Sequence, residues 1–96
     1  MSILFVITRP DTSEVFVNLT KACARKCLPY MCFFTGSGAS QLSDDSVVKA
    51  TKLSMRSVVC EHSWQKFFGD ASSVIEEGSQ TTHSELIGQA DKVVSL

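Results

Sequence analysis

Apolar residues along this chain follow first a strand-like and then a helix-like period, and the switches between the two set the order of elements. Ile3-Leu4-Phe5-Val6-Ile7 is an unbroken apolar run, the pattern of a strand covered on both faces in a parallel sheet. Arg9-Pro10 ends it, because proline removes a backbone donor and fixes φ. Asp11 with Glu14 three residues on has the form of a capping box, and Val15, Leu19, Ala22, Cys23 and Cys27 then recur at helical spacing. This predicts a helix from about Ser13 to Lys26, with Arg25 and Lys26 in the last turn, where cations offset the negative end of the helix dipole. Pro29 prevents its continuation, and Tyr30 to Phe34 reads as a second strand.

The glycine and serine segment Thr35-Gly36-Ser37-Gly38-Ala39-Ser40 then predicts a loop at the carboxyl end of that strand. Ser43-Asp44-Asp45 marks the entrance of a short helix leading into Val47, Val48, Thr51 and Leu53. Arg56 to Cys60 is a third strand, followed at once by a helix-compatible segment with Trp64, Phe67 and Phe68 on one side and Gly69-Asp70 at its end. Residues 70 to 80 carry no readable pattern. Thr82 with Glu85 fits another capping box, Leu86 and Ile87 form an apolar patch, and Lys92-Val93-Val94-Ser95-Leu96 closes the chain as a strand. Strand and helix in alternation imply an α/β fold, a small flavodoxin-like sandwich whose mostly parallel sheet has about four to five strands flanked by helices.

Composition narrows the possibilities. A chain of 96 residues, 44% hydrophobic and 20% charged, suits one globular domain. A formal net charge of −1 gives no field for nucleic acid, so no direct nucleic-acid partner is expected. No apolar stretch reaches membrane-spanning length, and Met1 to Thr8 is too short and too soon interrupted for a signal peptide, so a cytoplasmic protein with reduced thiols is expected.

Within that frame Cys60 is the candidate catalytic residue. It ends a buried strand and precedes a helix whose first N–H groups would favour the thiolate; the plainer reading is a small buried hydrophobe. His62, two residues on, is a candidate source of a proton or positive charge, against the commoner reading of a surface histidine, and Glu61 opposes the thiolate. Gly36, Ser37 and Gly38 could hold an anion on backbone N–H groups, but without a phosphate-loop ending they read better as a turn lining the Cys60 rim. Cys23 and Cys27 share a predicted helix face, a spacing that can begin a metal site; the remaining ligands are not evident, and helix core is preferred. No Cys-x-x-Cys pair is present. Trp64, Phe67 and Phe68 read as core, with a cover for the thiol or a subunit contact as alternatives.

The element order, the strand and glycine loop Cys32-Phe33-Phe34-Thr35-Gly36-Ser37-Gly38-Ala39, the segment Val58-Val59-Cys60 leading to Gly69, and the ending Ala90-Asp91-Lys92-Val93-Val94-Ser95-Leu96 resemble the DsrE-like family of sulfur-relay proteins. The likeness spans nearly the whole chain, as a single DsrE-like domain over residues 1–96. It implies that Cys60 accepts sulfur as a persulfide and passes it to a partner thiol, with no metal or organic cofactor. It further implies a protein sulfur donor and acceptor, and assembly as a homo- or hetero-oligomer, a trimer or hexamer. Two segments depart from the family pattern: Arg9-Pro10-Asp11-Thr12-Ser13 lacks the expected glycine, and Trp64, Phe67 and Phe68 are bulky where small and basic residues are usual. Some subunits of such assemblies keep the fold without the chemistry, so a noncatalytic interaction subunit with Cys60 simply buried is the alternative.

Overall fold

Five strands, β1 (Ile3–Ile7), β2 (Tyr30–Phe34), β3 (Arg56–Cys60), β4 (Glu76–Gly78) and β5 (Lys92–Ser95), alternate with α1 (Ser13–Arg25), α2 (Asp45–Lys52), α3 (Glu61–Phe68) and α4 (Gln80–Gln89) in the computed structural model, which describes residues 1–96. The strands form one sheet in the order β4-β3-β2-β1-β5, with every neighbouring pair parallel. The architecture is the expected flavodoxin-like sandwich. In flavodoxin itself the edge strand beside the first is the second of the chain; here it is the fifth.

Side-chain alternation along the strands divides the core in two. Phe5, Ile7, Cys32, Phe34 and Val59 face α1, α2 and α3, meeting Phe16, Cys23, Val47, Ala50 and Trp64. Edge-to-face contacts of Phe5 with Phe16 and Tyr30, and of Phe16 with Phe34, add geometric preference to this burial. Leu4, Val6, Met31, Phe33, Val58 and Cys60 point the other way, toward α4, whose Leu86 is its one fully buried member of their cluster and whose His83 stacks on Phe33 with centroids 4.5 Å apart. One face is thus covered by three helices and the other by one.

Three local expectations are corrected. Asp11 does not cap α1: Thr12 holds the N-cap position without a side-chain cap bond, and Asp11 pairs instead with Arg9 at 3.0 Å. The turn is fixed from elsewhere, since buried Gln41 donates from Nε2 to the Arg9 carbonyl at 2.6 Å and to Thr12 Oγ1 at 2.8 Å. The entrance of α4 lies earlier than Thr82, with Ser79 as N-cap and its N–H donating to Thr82 Oγ1 at 3.3 Å. Cys27 is not on the face of α1 that buries Cys23. It lies past the helix end at φ 54, with Leu28 N–H donating to Cys23 O at 2.9 Å and Cys27 N–H to Ala24 O at 3.2 Å, the Schellman pattern in which glycine normally takes the left-handed position.

The unreadable stretch contains β4. Its sequence, Glu76-Glu77-Gly78, has no strand propensity of its own; it pairs with Val58 to Cys60, and Arg56 grips Glu76 with two hydrogen bonds of 3.0 and 2.6 Å. Thr35 to Ser40, expected as a loop, instead opens a 3-10 helix that runs from Gly36 to Ser43. Gly38 lets it press on the end of β1: a Cβ there would lie 2.1 Å from the Ile7 carbonyl oxygen.

Candidate functional site

A parallel sheet delivers all its carboxyl ends to one rim, so Thr8, Thr35 and Ser79, each just past its strand, and Cys60, the last residue of its own, lie on the same side of the molecule. Strand order reverses between β1 and β5, the switch point where a crevice opens in many α/β sheets. Here that gap is closed by backbone bonds from the Thr8 and Arg9 N–H groups to the Leu96 carbonyl, at 2.9 and 3.3 Å. Cys60 lies away from it, two strands from β1.

Cys60 is at once the last residue of β3 and the N-cap of α3. An N-cap side chain ordinarily accepts from the second and third helical N–H groups, which here belong to His62 and Ser63. The thiol makes no formed cap bond, as suits protonated sulfur, a weak acceptor; the donors matter for the thiolate. Burial pushes the Cys60 thiol up, but the backbone N–H of Ser63, its hydroxyl, the N–H of His62 and the Thr35 hydroxyl act the other way, and together they hold it below the ordinary thiol value. The Ser63 hydroxyl is oriented from behind: its oxygen accepts the Gly36 N–H at 2.8 Å, leaving its proton for sulfur. Gly36 thus holds in place one of the groups that lower the Cys60 thiol.

The other cysteines contrast with this. Burial raises Cys23 and pushes Cys32, fully enclosed in β2, up to about 12. Cys27 is exposed. All four are free thiols.

Of the residues singled out from sequence, Gly36 donates its N–H to Ser63, the third residue after Cys60. Ser37 is exposed on the rim, its carbonyl accepting from Ser40 Oγ at 2.7 Å. Gly38 is buried against β1 and serves packing. His62 is exposed, and its main-chain N–H rather than its imidazole acts on Cys60. Trp64 and Phe68 stack with centroids 4.1 Å apart, and the indole donates to the Ala71 carbonyl at 2.7 Å; Phe67 stands 40% exposed. Thr35 and Ser63 were not anticipated. Ser63 had a signal, its place three residues after a strand-ending cysteine, where a helix offers its third N–H. Thr35 had none within its own segment, because only strand register brings it level with Cys60.

The two surface clefts lie apart from this thiol, on the α1 and α2 side. No helix is long and apolar enough to cross a membrane. No protein-family model and no curated protein matches the chain.

Proposed function

We propose that this chain is a sulfur-relay protein in which Cys60 accepts sulfur as a persulfide from a protein donor and passes it to a partner thiol. The observation that carries the reading is the placement of Cys60, the last residue of β3 and the N-cap of α3, where the N–H groups of His62 and Ser63 favour a thiolate, while burial disfavours one at Cys23 and Cys32. The resemblance to DsrE-like proteins supports it, as does the parallel α/β sandwich that places the thiol on the carboxyl rim.

In the loading step the Cys60 thiolate attacks the outer sulfur of the donor persulfide. A bond forms between that sulfur and Cys60, the donor's S–S bond breaks, and its electron pair leaves with the donor's inner sulfur as a thiolate. No oxidant or reductant is consumed. Transfer onward repeats the exchange, with Cys60 now the leaving group, and a thiol held acidic leaves faster. His62 and the Gly36, Ser37 and Gly38 segment border the site, and donor and acceptor proteins dock on the rim of an oligomer, a trimer or hexamer, in a reducing cytoplasmic setting.

Incubation with a persulfide donor followed by peptide mass spectrometry tests this: a gain of sulfur confined to Cys60, removed by a thiol reductant and absent from Cys60→Ser, is expected. Equal uptake by Cys60→Ser overturns the assignment. A second reading, a noncatalytic interaction subunit, draws on the burial of Cys60, which is 7% exposed. Under that reading Cys60 stays silent to alkylation until the protein is denatured.

A further inference from the structure

Sulfur loading needs an acceptor for the Cys60 proton, yet the groups that act on this sulfur, the N–H of His62 and of Ser63 and the hydroxyls of Ser63 and Thr35, act on it as donors. A lone pair is available on α4. His83 Nε2 is buried without a hydrogen-bond partner, one of two such side-chain atoms in the molecule; the other, Gln41 Oε1, belongs to the turn before α1. His83 Nδ1 lies 3.3 Å from the Gln80 amide oxygen, which can only accept, so Nδ1 carries the ring proton and Nε2 is left as a bare acceptor. A buried acceptor without a donor is costly and calls for an explanation.

Strand register brings the imidazole to the neighbourhood of Cys60. It stacks flat on Phe33, with planes 1° apart and centroids 4.5 Å apart, and Phe33 shares with Cys60 the sheet face that α4 covers. Phe33 is level with Val58, so Cys60 stands one strand over and two residues nearer the carboxyl rim, with about 8 Å between the two Cα atoms. The preceding residue, Thr82, rests on the other side of β3: a Cβ on Gly78 would lie 2.9 Å from its hydroxyl, and Gly78 is level with Cys60. Thr82 and His83 therefore straddle β3, and the first turn of α4 spans the strand that ends in Cys60. The charged groups of the adjoining elements are engaged or outward. Glu76 is bonded to Arg56, on which Glu85 also acts, and Glu61, His62 and Glu77 are exposed.

We propose that His83 is the proton acceptor for Cys60, taking the thiol proton as the sulfur attacks and returning it to the group that leaves. The substrate in this inference rests on the sulfur-relay reading; the proton transfer rests on the placement of His83. In loading, Nε2 takes the Cys60 proton, the new S–S bond forms to the outer sulfur of the donor, the donor's S–S bond breaks, and its inner sulfur leaves with the electron pair and receives the proton from Nε2. In onward transfer Nε2 takes the proton of the acceptor thiol and gives it to Cys60 as that sulfur leaves. Proton and electrons balance in both steps without an oxidant or reductant. Nε2 has no partner in the resting protein, as is common for proton-transfer pairs before the reacting group is bound. A small shift of α4, in which Leu86 is the one buried residue, closes the distance.

Two variants test this. His83→Phe keeps a ring on Phe33 and removes the acceptor, whereas His83→Ala opens a space that free imidazole can enter. With glutathione persulfide as donor, rapid quenching and mass spectrometry at neutral pH are expected to show loading of Cys60 slowed by about a hundredfold in both, the lower end of what a positioned proton acceptor contributes. The gap is expected to close above the ordinary thiol value, where the sulfur ionises unaided, and imidazole is expected to speed His83→Ala but not His83→Phe. Unchanged loading in both variants, or slowing that neither high pH nor imidazole relieves, overturns the role of His83. Absence of sulfur uptake by the wild-type protein overturns the relay reading instead, and alkylation of native Cys60 by iodoacetamide then decides for His83: slower reaction at neutral pH in both variants, relieved by imidazole in His83→Ala, supports it, and equal rates overturn it.

Discussion

Ser63 decides the state of Cys60 more directly than any other side chain. Ser63→Ala removes a hydroxyl donor from the sulfur and leaves the Gly36 N–H without its acceptor. Native alkylation of Cys60 by iodoacetamide at neutral pH is expected to slow several-fold and its pH profile to move upward, with a stability loss of about 1–3 kcal/mol for the orphaned donor; an unchanged profile would assign the acidity to the helix N–H groups alone. Titration in the core has the opposite sign. Burial holds Cys32 at about 12 against an ordinary value of 9.0, so between those values the unfolded chain has released a proton that the folded chain keeps, and stability falls as pH rises through the window. Tyr30, raised from 10.0 to about 12 chiefly by burial, pushes the same way. Cys60 runs against them: the stability it contributes is full above the ordinary thiol value and is lost as pH falls through its lowered folded value. Denaturant midpoints should therefore drop above pH 9, and Cys32→Ala, though weaker at neutral pH, should show a shallower alkaline decline.

At the scale of elements, legibility in the sequence follows where the determinants lie. β1, β2 and β3 were readable because both faces of each are buried, so their own side chains spell the strand. β4 was not, since what makes it a strand is Arg56 and the open edge of β3. The start of α1 at Ser13 is as the spacing predicts, but its cap is not, for a similar reason: Gln41, 29 residues from Thr12, holds the turn that Asp11 and Glu14 have the form to cap. The Cys60 position was legible from the end of its strand, whereas its partner Thr35 needed the register of two strands. The end of α1 yields a prediction of its own. Cys27 holds a left-handed conformation and is exposed, a geometry that costs a side chain about 1–2 kcal/mol. Cys27→Gly is expected to raise stability by about 0.5–1 kcal/mol after the greater entropy of an unfolded glycine is discounted, readable as a higher urea midpoint at unchanged slope.

Across the whole molecule the two faces of the sheet are unequally protected. Three helices and a network of aromatic rings cover one, while six sheet residues on the other share the single buried side chain of Leu86. Leu86→Ala is expected to cost about 2–5 kcal/mol, the range for an enclosed leucine, and to release α4 before the rest of the structure. Hydrogen exchange should find residues 80–89 opening first in that variant while α1 and β2 keep their protection; uniform loss across the chain would mean that α4 is held by something other than Leu86. The consequence reaches Cys60, which lies in the same cluster. Loosening α4 is expected to uncover its sulfur.

The placing of β5 beside β1 bears on how the chain reaches this structure. Ser2 and Asp91, 89 residues apart, meet where these strands begin, and no shorter contact can stand in for that pairing. The hairpin-scale steps of folding are absent from a sheet whose every pair is parallel, so the search is slow by topology. Until β5 docks, β1 offers an open row of amides and carbonyls in an otherwise assembled sheet. That interval is when the fate of the chain depends on its concentration, because a β5 from a second molecule fits the same vacancy as its own.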